Sequence, residues 1–267
     1  MMMLTKSPKT LLSTLSLALL VVLAGAAAAC DVPAAEGEGE GEGENVGPTC
    51  TEPAVVDCED EVFVALTMDL NANAPGLIES TPADGVFDVD VDATAGGFQG
   101  TAGWVYGRFT DDGLLKVDIS DIDSLGSMDW DIAFRRFVIR VNSGYGGPSC
   151  VTAARTAADT DFDALAAVPA DLRFNTEEFM SDPDGCTVIA DGSGLGSPGV
   201  VLQNWWTYPG CVATTNNVYV LSLKDGRRLK LVVTQYYGGD GAQDACNDLF
   251  EVAGEGARIK LRYAFFE

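Results

Sequence analysis

Two β-rich runs on either side of an Asp-Gly pair constrain the fold of this chain more than any other feature. Residues 218–224 (VYVLSLK) and 227–234 (RRLKLVVT) are rich in valine and leucine, and Asp225-Gly226 lies between them. This pattern predicts a β-hairpin with a type I′ turn, in which both central residues must accept positive φ. We therefore expect an antiparallel sheet in this part of the chain.

Shorter alternating runs extend the pattern. Three basic residues alternate with apolar ones in residues 258–265, and three aspartates do the same in residues 87–92. A period of two with one apolar face is typical of a half-buried strand. Further β-type runs occupy 61–68, 104–106 and 114–117 around an Asp-Asp-Gly turn, and 132–141; helical patterns are confined to 161–168 and part of 176–180. The sequence predicts an all-β (mainly β) domain of antiparallel sheets over residues 50–267.

The charge of the chain and its lack of histidine exclude several kinds of function. Its 267 residues include 40 acidic, 16 basic and no histidine residues, a formal net charge of -24. Without histidine there is no Ser-His-Asp or Cys-His catalysis and no histidine-ligated zinc or haem. The few, scattered basic residues argue against a nucleic-acid partner, because phosphate binding needs clustered Lys and Arg. No pair of carboxylates is singled out as a site, so the chain is not predicted to be an enzyme.

The first thirty residues resemble an export signal. Lys6 and Lys9 precede the apolar segment 11–23, and small residues then lead to Cys30. This order resembles a bacterial lipoprotein signal, which predicts that residues 1–29 are removed and that the Cys30 thiol carries the lipid. Lipoprotein signals usually have leucine three residues before the cysteine, where this chain has Ala27. An ordinary signal peptide with an unrelated cysteine and an uncleaved membrane anchor are the alternatives.

An acidic tether is predicted after the signal. Residues 30–49 contain alternating glutamate and glycine with almost no apolar surface, so this segment is predicted to be disordered and extended. Its expected role is to hold residues 50–267 away from a membrane surface. We expect a lipid-anchored protein of the cell envelope, at the outer membrane or cell surface rather than the inner membrane.

The cysteine count fits a disulfide framework in an exported protein. If Cys30 carries lipid, six cysteines remain, and an exported chain with an even number is typical of disulfides. No CxxC motif supports a redox centre or a zinc ribbon. Cys50 and Cys58 are close in sequence and are predicted to pair, and Cys211 and Cys246 flank the predicted hairpin and could meet at its open end. That leaves Cys150 with Cys186.

A resemblance to a known family rests on residues 130–144 (WDIAFRRFVIRVNSG). This segment resembles the centre of the HmuY-like lipoproteins, surface proteins whose founding members bind haem. Other similar segments follow in the family's order, at 104–106, 162–169, 205–208, 218–237 and 258–266. From the residues alone, Trp130, Ile132 and Phe134 are predicted to share the buried face of one strand.

The resemblance implies a mostly-β fold of two packed sheets that captures haem or a porphyrin in a cleft at one end. Members of the family ligate iron through histidine or methionine, and this chain has no histidine. Met180 and Tyr208 are therefore the candidate haem ligands, with Met128 as a third. The candidate cleft aromatics are Trp104, Trp205 and Trp206. The structural alternative is that the methionines fill the core and Tyr208 packs in a loop.

Two functions remain open at this point. The first is a lipid-anchored β-domain that binds haem, iron-free porphyrin or another planar apolar ligand. The second is a surface interaction or structural lipoprotein that kept the fold but lost the haem ligands, which the acidity and the missing histidine favour. Two apparent motifs do not change this: Asp88-x-Asp90-x-Asp92 lacks the glycine and glutamate of a calcium loop, and the glycines 192, 194 and 196 favour a surface turn.

Overall fold

Antiparallel strands account for most of the regular structure. The computed structural model describes residues 47–70, 76–95, 102–181 and 185–267, so Cys30, the signal and most of the predicted tether lie outside the described residues. The strands are β1 (Leu77–Ala83), β2 (Val86–Asp92), β3 (Val105–Thr110), β4 (Gly113–Val117), β5 (Ile132–Arg135), β6 (Val138–Val141), β7 (Thr152–Arg155), β8 (Trp206–Thr207), β9 (Ala213–Thr214), β10 (Val218–Ser222), β11 (Arg228–Gly238) and β12 (Glu255–Phe265). The α-helices are α1 (Glu59–Ala65), α2 (Asp121–Ser124) and α3 (Ala242–Leu249), and short 3-10 turns cover Gly144–Gly146 and Gln203–Trp205. The fold is mainly β, with antiparallel sheets and few short helices, as the sequence predicts.

A six-stranded antiparallel sheet has the order β1-β2-β12-β11-β10-β7. The predicted hairpin is confirmed, with Val218 opposite Val232 and Ser222 opposite Arg228. The predicted type I′ turn is wrong, because only Gly226 of the loop has positive φ. The Gly226 amide donates to the Leu223 carbonyl at 3.0 Å, which fits a three-residue loop ending in a left-handed glycine.

The alternating runs at 87–92 and 258–265 are neighbouring strands of this sheet. Strand β12 pairs with β2 so that each basic residue lies opposite an aspartate. Three ion pairs result: Arg258 with Asp92 at 2.6 Å, Lys260 with Asp90 at 3.3 Å, and Arg262 with Asp88 at 3.4 Å. The three aspartates are therefore engaged in a cross-strand charge ladder, which explains their spacing without calcium.

A four-stranded sheet of order β4-β3-β5-β6 packs against the first sheet. The predicted hairpin around Asp-Asp-Gly is confirmed as β3 and β4, and the run 132–141 is a second hairpin, β5 and β6. Between the two sheets lies the main core, to which each contributes alternate side chains, such as Phe109 and Ile132 from one and Leu231 and Leu261 from the other. These side chains are shielded from water, and their burial supplies most of the stabilisation of the fold.

A second apolar cluster covers the outer face of the four-stranded sheet. It contains Val62 and Leu66 of the α1 region together with Trp104 and Trp130. The β-type interpretation of residues 61–68 is therefore wrong. Val62 and Leu66 are four residues apart, and three acidic residues in the first turn of α1 favour a helix start.

The placement of Trp130 and the two predicted helices also differ from expectation. Trp130 belongs to the outer cluster, whereas Ile132 and Phe134 belong to the core between the sheets. Neither 161–168 nor 176–180 is helical. The Asp161 carboxylate instead accepts the amide of Asp163 at 2.8 Å, and this local turn competes with a helix.

The disulfide framework connects distant parts of the chain. The pair Cys211–Cys246 is confirmed, but the other predicted pairs are wrong: Cys50 bonds Cys150 and Cys58 bonds Cys186. The error has a physical cause. The segment from residue 47 runs along the hairpin loop, where the Cys50 amide donates to the Lys224 carbonyl at 3.0 Å, and this carries Cys50 away from Cys58 and towards Cys150.

Within the described residues, no helix combines the length and apolar character that crossing a membrane requires.

Candidate functional site

A cleft of about 510 Å³ opens where the β5–β6 turn meets one end of strand β11. We call it the tyrosine cleft, because three tyrosines form much of its wall. Its lining residues are Thr94, Arg136, Phe137, Leu195, Tyr208, Val212, Tyr236, Tyr237, Val252, Gly254, Glu255 and Gly256. The volume lies within the range of about 300 to 1,000 Å³ that small-molecule sites occupy.

Tyr236 and Tyr237 reach the cleft because strand β11 is irregular there. Consecutive side chains of a regular strand point to opposite faces, yet these two rings lie 4.9 Å apart, edge to face. The pairing of β11 with β12 shifts register between Val233 and Gln235 and again between Gln235 and Tyr237. Such bulges redirect side chains next to binding sites, and here they bring two adjacent rings into one wall.

Helix α3 holds that wall in place through Gln243. The Gln243 side-chain oxygen accepts the amides of Tyr236 at 2.7 Å and Tyr237 at 3.1 Å, and its nitrogen donates to the Val212 carbonyl at 3.1 Å. The Val212 amide in turn donates to the Tyr237 hydroxyl at 3.0 Å. Because Cys246 of α3 is bonded to Cys211, the helix, the β9 region and the end of β11 form one clamped unit.

The opposite wall is the two-residue turn between β5 and β6. The Arg136 backbone has a φ of 54°, in the left-handed region that residues other than glycine rarely adopt. Its amide donates to the Ala93 carbonyl at 2.9 Å. The Arg136 guanidinium donates a hydrogen bond to the Thr94 carbonyl at 3.4 Å, and it lies close enough to the Tyr236 phenol to lower the pKa of that group. Phe137 follows it in the turn and presents an aromatic ring to the cleft.

The predicted aromatics Trp205 and Trp206 lie behind the cleft and support it. The Trp205 indole donates to the Phe137 carbonyl at 3.1 Å, and the ring of Trp206 packs edge to face on Phe137 with centroids 4.9 Å apart. Trp206 also contacts Tyr208, at 6.5 Å between centroids. Both tryptophans are buried. They position the lining residues Phe137 and Tyr208, which separate the tryptophans from the cleft.

The phenols of the buried tyrosines are held in their neutral form. Loss of hydration on burial raises the pKa of Tyr236 to about 12, although the neighbouring Arg136 lowers it. Burial also raises the pKa of Tyr237, against the hydrogen bond from the Val212 amide. At neutral pH these two hydroxyls therefore act as hydrogen-bonding phenols, and the wall they form carries no negative charge.

Exposed aliphatic side chains form the rim of the cleft. Leu195 is 40% exposed and Val252 is 65% exposed, and both line the opening beside Tyr208. Leu195 is carried on residues 190–199, a segment closed by the bridge between Ala190 and Pro198. Apolar side chains left in water at the mouth of an aromatic cleft gain from being covered, which favours an apolar ligand.

Of the three predicted haem ligands, the structure places only Tyr208 in the cleft. Tyr208 is 48% exposed and lines it directly. Met180 is buried in the outer cluster on the other face of the four-stranded sheet. Met128 is half-buried, and its carbonyl accepts a hydrogen bond from Lys224. Among the described residues, no methionine lines the tyrosine cleft, and Met180 packs in the outer cluster.

Trp104, the third predicted cleft aromatic, packs around a buried arginine instead. The Arg140 guanidinium lies between the rings of Trp104 and Trp130, 4.7 Å and 4.5 Å from their centroids. It also donates to the Tyr106 hydroxyl at 3.1 Å, and that hydroxyl donates to the Asp121 carboxylate at 2.9 Å. This cation–π and hydrogen-bonded group fixes the outer cluster and explains the aromatic residues around it without a ligand.

Glu177, beside Met180, is a second buried charge that the sequence interpretation missed. One carboxylate oxygen accepts the Val141 amide and the other accepts the Val201 amide, each at 2.8 Å. Loss of hydration raises the pKa of Glu177 to about 7, against those two hydrogen bonds and the charge of Arg140. Glu177 thus connects strand β6 to the segment that leads towards Trp205.

The sequence contained weak signals for the cleft residues that were not singled out. Two consecutive tyrosines interrupt the alternation of polar and apolar residues in the sequence of β11. Arg136 lies in the middle of the β-rich segment 132–141, which forms a hairpin only if the chain turns near that residue. Neither signal identifies a site alone, because the bulge and the turn become visible only with the strand register. Those residues, rather than Met180 or Trp104, define the candidate site.

Comparison with known proteins identifies the family. A sequence profile described as "HmuY protein" matches residues 100–247, more than half of the chain. No curated protein matches the chain. Similar solved structures include a candidate HmuY-like heme binding protein from Bacteroides vulgatus (18% identity, 73% of this chain and 97% of that chain, TM-score 0.42). Others are a candidate lipoprotein from Bacteroides fragilis (18% identity, 69% and 91%, TM-score 0.39) and an apo HmuY analog from Tannerella forsythia (18% identity, 74% and 100%, TM-score 0.40). On the extent of the profile match, this chain belongs to the HmuY family.

Proposed function

We propose that this chain is an exported, lipid-anchored binding protein that takes a planar, apolar ligand of the haem or porphyrin class in the tyrosine cleft. The observation that carries the proposal is the cleft itself, an aromatic site of about 510 Å³ with an exposed aliphatic rim and a clamped wall. Family membership supplies the ligand class, since a similar structure is named as a heme binding protein.

The described lining suits the body of a porphyrin better than its iron. Phe137, Tyr236 and Tyr237 offer ring faces and edges for a flat aromatic molecule. For iron, the lining offers phenol oxygens and the carboxylate of Glu255, which is paired with Arg258, but no sulfur or imidazole among the described residues. Tyrosine can be an axial ligand of haem iron, and Tyr208 is the phenol that projects into water at the mouth of the cleft. Tyr208 is therefore the residue that would hold iron, and stacking would hold an iron-free ring.

The test is an absorbance and fluorescence titration of the chain from residue 30 onwards with ferric haem and with protoporphyrin. We expect saturation at one equivalent and quenching of tryptophan emission, because Trp206 lies directly behind Phe137 and Tyr208. Tyr208→Phe should change the Soret band of bound haem if that phenol holds the iron. Tyr145→Phe, a half-buried tyrosine outside the cleft, is the matched control. A flat titration with a chain shown folded by circular dichroism would refute the proposal.

A second function is favoured by the absence of soft iron ligands from the described cleft lining. In that case the chain keeps the fold and serves as a non-haem surface interaction or structural lipoprotein, with the apolar rim as a contact surface. The same titration separates the two functions, because this alternative requires that neither haem nor protoporphyrin binds.

Lipid attachment at Cys30 is proposed from the export signal. Its support is the order of basic, apolar and small residues before that cysteine, and the name of the Bacteroides fragilis structure as a candidate lipoprotein. The expected site of the protein is the cell envelope, at the outer membrane or cell surface. Metabolic labelling with a radioactive fatty acid should mark the wild-type chain and leave Cys30→Ala unlabelled; labelling of both would refute attachment at this thiol.

A further inference from the structure

We propose that Arg136 makes the tyrosine cleft selective for ligands that carry a carboxylate, so that the cleft recognises aromatic acids rather than any flat apolar molecule. This inference rests on the proposed site but concerns a different property of it.

The first support is the position of the charge. The chain as a whole has a formal net charge of -24, which repels anions at long range. Arg136 is the one basic residue among the described residues that line the cleft, and it lies half-buried beside the rings of Phe137 and Tyr236. The one carboxylate of that lining, Glu255, is paired with Arg258 at 2.8 Å. A guanidinium near apolar walls is screened less than one in water, so an anion gains more from it there.

The second support is the backbone of Arg136. In the β5–β6 turn Arg135 pairs with Val138, which leaves Arg136 and Phe137 as the two turn residues. Only the first of them has positive φ, at 54°, and glycine is the usual residue at that position of a two-residue hairpin turn. Non-glycine residues held in this region are strained, and such residues concentrate at ligand sites. The turn thus holds the Arg136 backbone in one conformation and places its side chain in the cleft lining next to Phe137.

The third support is the orientation of the guanidinium. It donates to the Thr94 carbonyl at 3.4 Å and lies beside the Tyr236 phenol, so it is held against the cleft wall before any ligand arrives. Tyr236 is almost fully buried and its phenol is neutral at physiological pH, so its hydroxyl can donate to an anion that Arg136 also contacts. Arginine and phenol together present donors to one carboxylate, and pre-oriented donors lose little freedom on binding.

The experiment compares a carboxylate ligand with its neutral ester. Protoporphyrin and its dimethyl ester share the same ring, and the wild-type chain from residue 30 should bind the acid about tenfold more tightly, the effect of one charge-assisted hydrogen bond. Arg136→Gln should abolish this preference, whereas Arg136→Lys, which keeps the charge without the planar fork, should retain part of it. Arg135→Gln removes the neighbouring positive charge and is the matched control, with circular dichroism confirming the fold of each variant.

The outcomes separate this inference from the proposed function. Equal binding of acid and ester by the wild-type chain, or an equal loss of preference in Arg135→Gln and Arg136→Gln, would overturn the role of Arg136 while leaving porphyrin binding in place. If neither porphyrin binds, the proposed function fails, and 1-naphthoate against its methyl ester then tests Arg136 alone. Arg136-dependent preference for naphthoate would support the inference, and its absence would overturn it.

Discussion

The disulfide between Cys211 and Cys246 should couple the stability of the fold to the shape of the tyrosine cleft. We consider the double variant Cys211→Ala/Cys246→Ala, which opens a loop between residues 35 apart in sequence. The chain-entropy relation for a loop of this length gives a loss of about 4 kcal/mol in the free energy of unfolding. Domains commonly have a free energy of unfolding of about 5 to 15 kcal/mol. A domain whose wild-type value lies in the upper part of that range remains folded after such a loss.

The same change should weaken ligand binding, because the disulfide anchors α3 and α3 holds the wall. Without it, Gln243 still bonds the backbone of Tyr236 and Tyr237, but the segment containing Val212 is free to move. Ordering even one residue on binding costs about 1 kcal/mol, which corresponds to roughly fivefold in affinity. We therefore expect a fivefold weaker protoporphyrin complex, with most of the effect in the dissociation rate.

The control is the other long-range pair, Cys50→Ala/Cys150→Ala. Its sequence separation of 100 predicts a loss of about 4.7 kcal/mol, similar to that of the first variant. Neither cysteine lines the cleft, so affinity should stay at the wild-type value. Urea unfolding and protoporphyrin titration of both variants measure the two quantities. Equal affinities in the two variants, with comparable losses of stability, would refute the argument that α3 positions the wall.

Three further predictions follow from single residues. Burial raises the pKa of Glu177 from 4.5 to about 7, so between these pH values the folded state holds a proton that the unfolded state releases. The free energy of unfolding should therefore fall by about 3 kcal/mol as the pH rises from 4.5 to 7. Urea midpoints of Glu177→Gln measured over the same range should lack this pH-dependent fall. Gly256→Ala should displace the Tyr236 ring, since the added carbon would lie 3.0 Å from it. The variant should have a lower melting temperature and a lower affinity for protoporphyrin. An unchanged affinity would contradict the placement of Tyr236 in the wall of the cleft. Leu195→Ala should weaken protoporphyrin binding about threefold without lowering stability, while Val188→Ala, an exposed residue outside the cleft lining, should not; equal effects would remove Leu195 from the site.

The sheets were predictable because their patterns are local. The alternation in 258–265 and the Asp-Gly pair at 225–226 specify strands and a hairpin from residues a few positions apart, and both are present. The turn type was not predictable, because Asp-Gly suits either a two-residue or a three-residue loop and the register decides between them. Helix α1 was missed for a related reason: its valines suit a strand, and only packing of Val62 against the outer cluster selects the helix.

The candidate site could not be predicted because it consists of contacts between distant segments. Arg136 and Tyr236 are a hundred positions apart in sequence and meet through the turn of one sheet and the bulge of another. Residue chemistry alone selected Met180 and Trp104, which have suitable side chains but lie on the other face of the four-stranded sheet. Two of the three predicted disulfide pairs were wrong for the same reason, since sequence proximity of Cys50 and Cys58 says nothing about where the chain places each of them.

Under the proposed function, the lack of histidine determines which part of a haem-like ligand the tyrosine cleft would recognise. Where soft ligands bind the iron, affinity depends on the metal. Here the described lining supplies phenols, aromatic faces, one guanidinium and the Glu255 carboxylate, which Arg258 neutralises. The phenols, the rings and the guanidinium would act on the porphyrin ring and its acid groups. Hydrogen bonds to the charged carboxylates and burial of the ring do not require iron, so ferric haem and iron-free protoporphyrin should bind with affinities within about tenfold of each other. A preference for ferric haem of a hundredfold that disappears in Tyr208→Phe would instead show that this phenol holds the iron, and that the metal, rather than the ring and its carboxylates, dominates recognition.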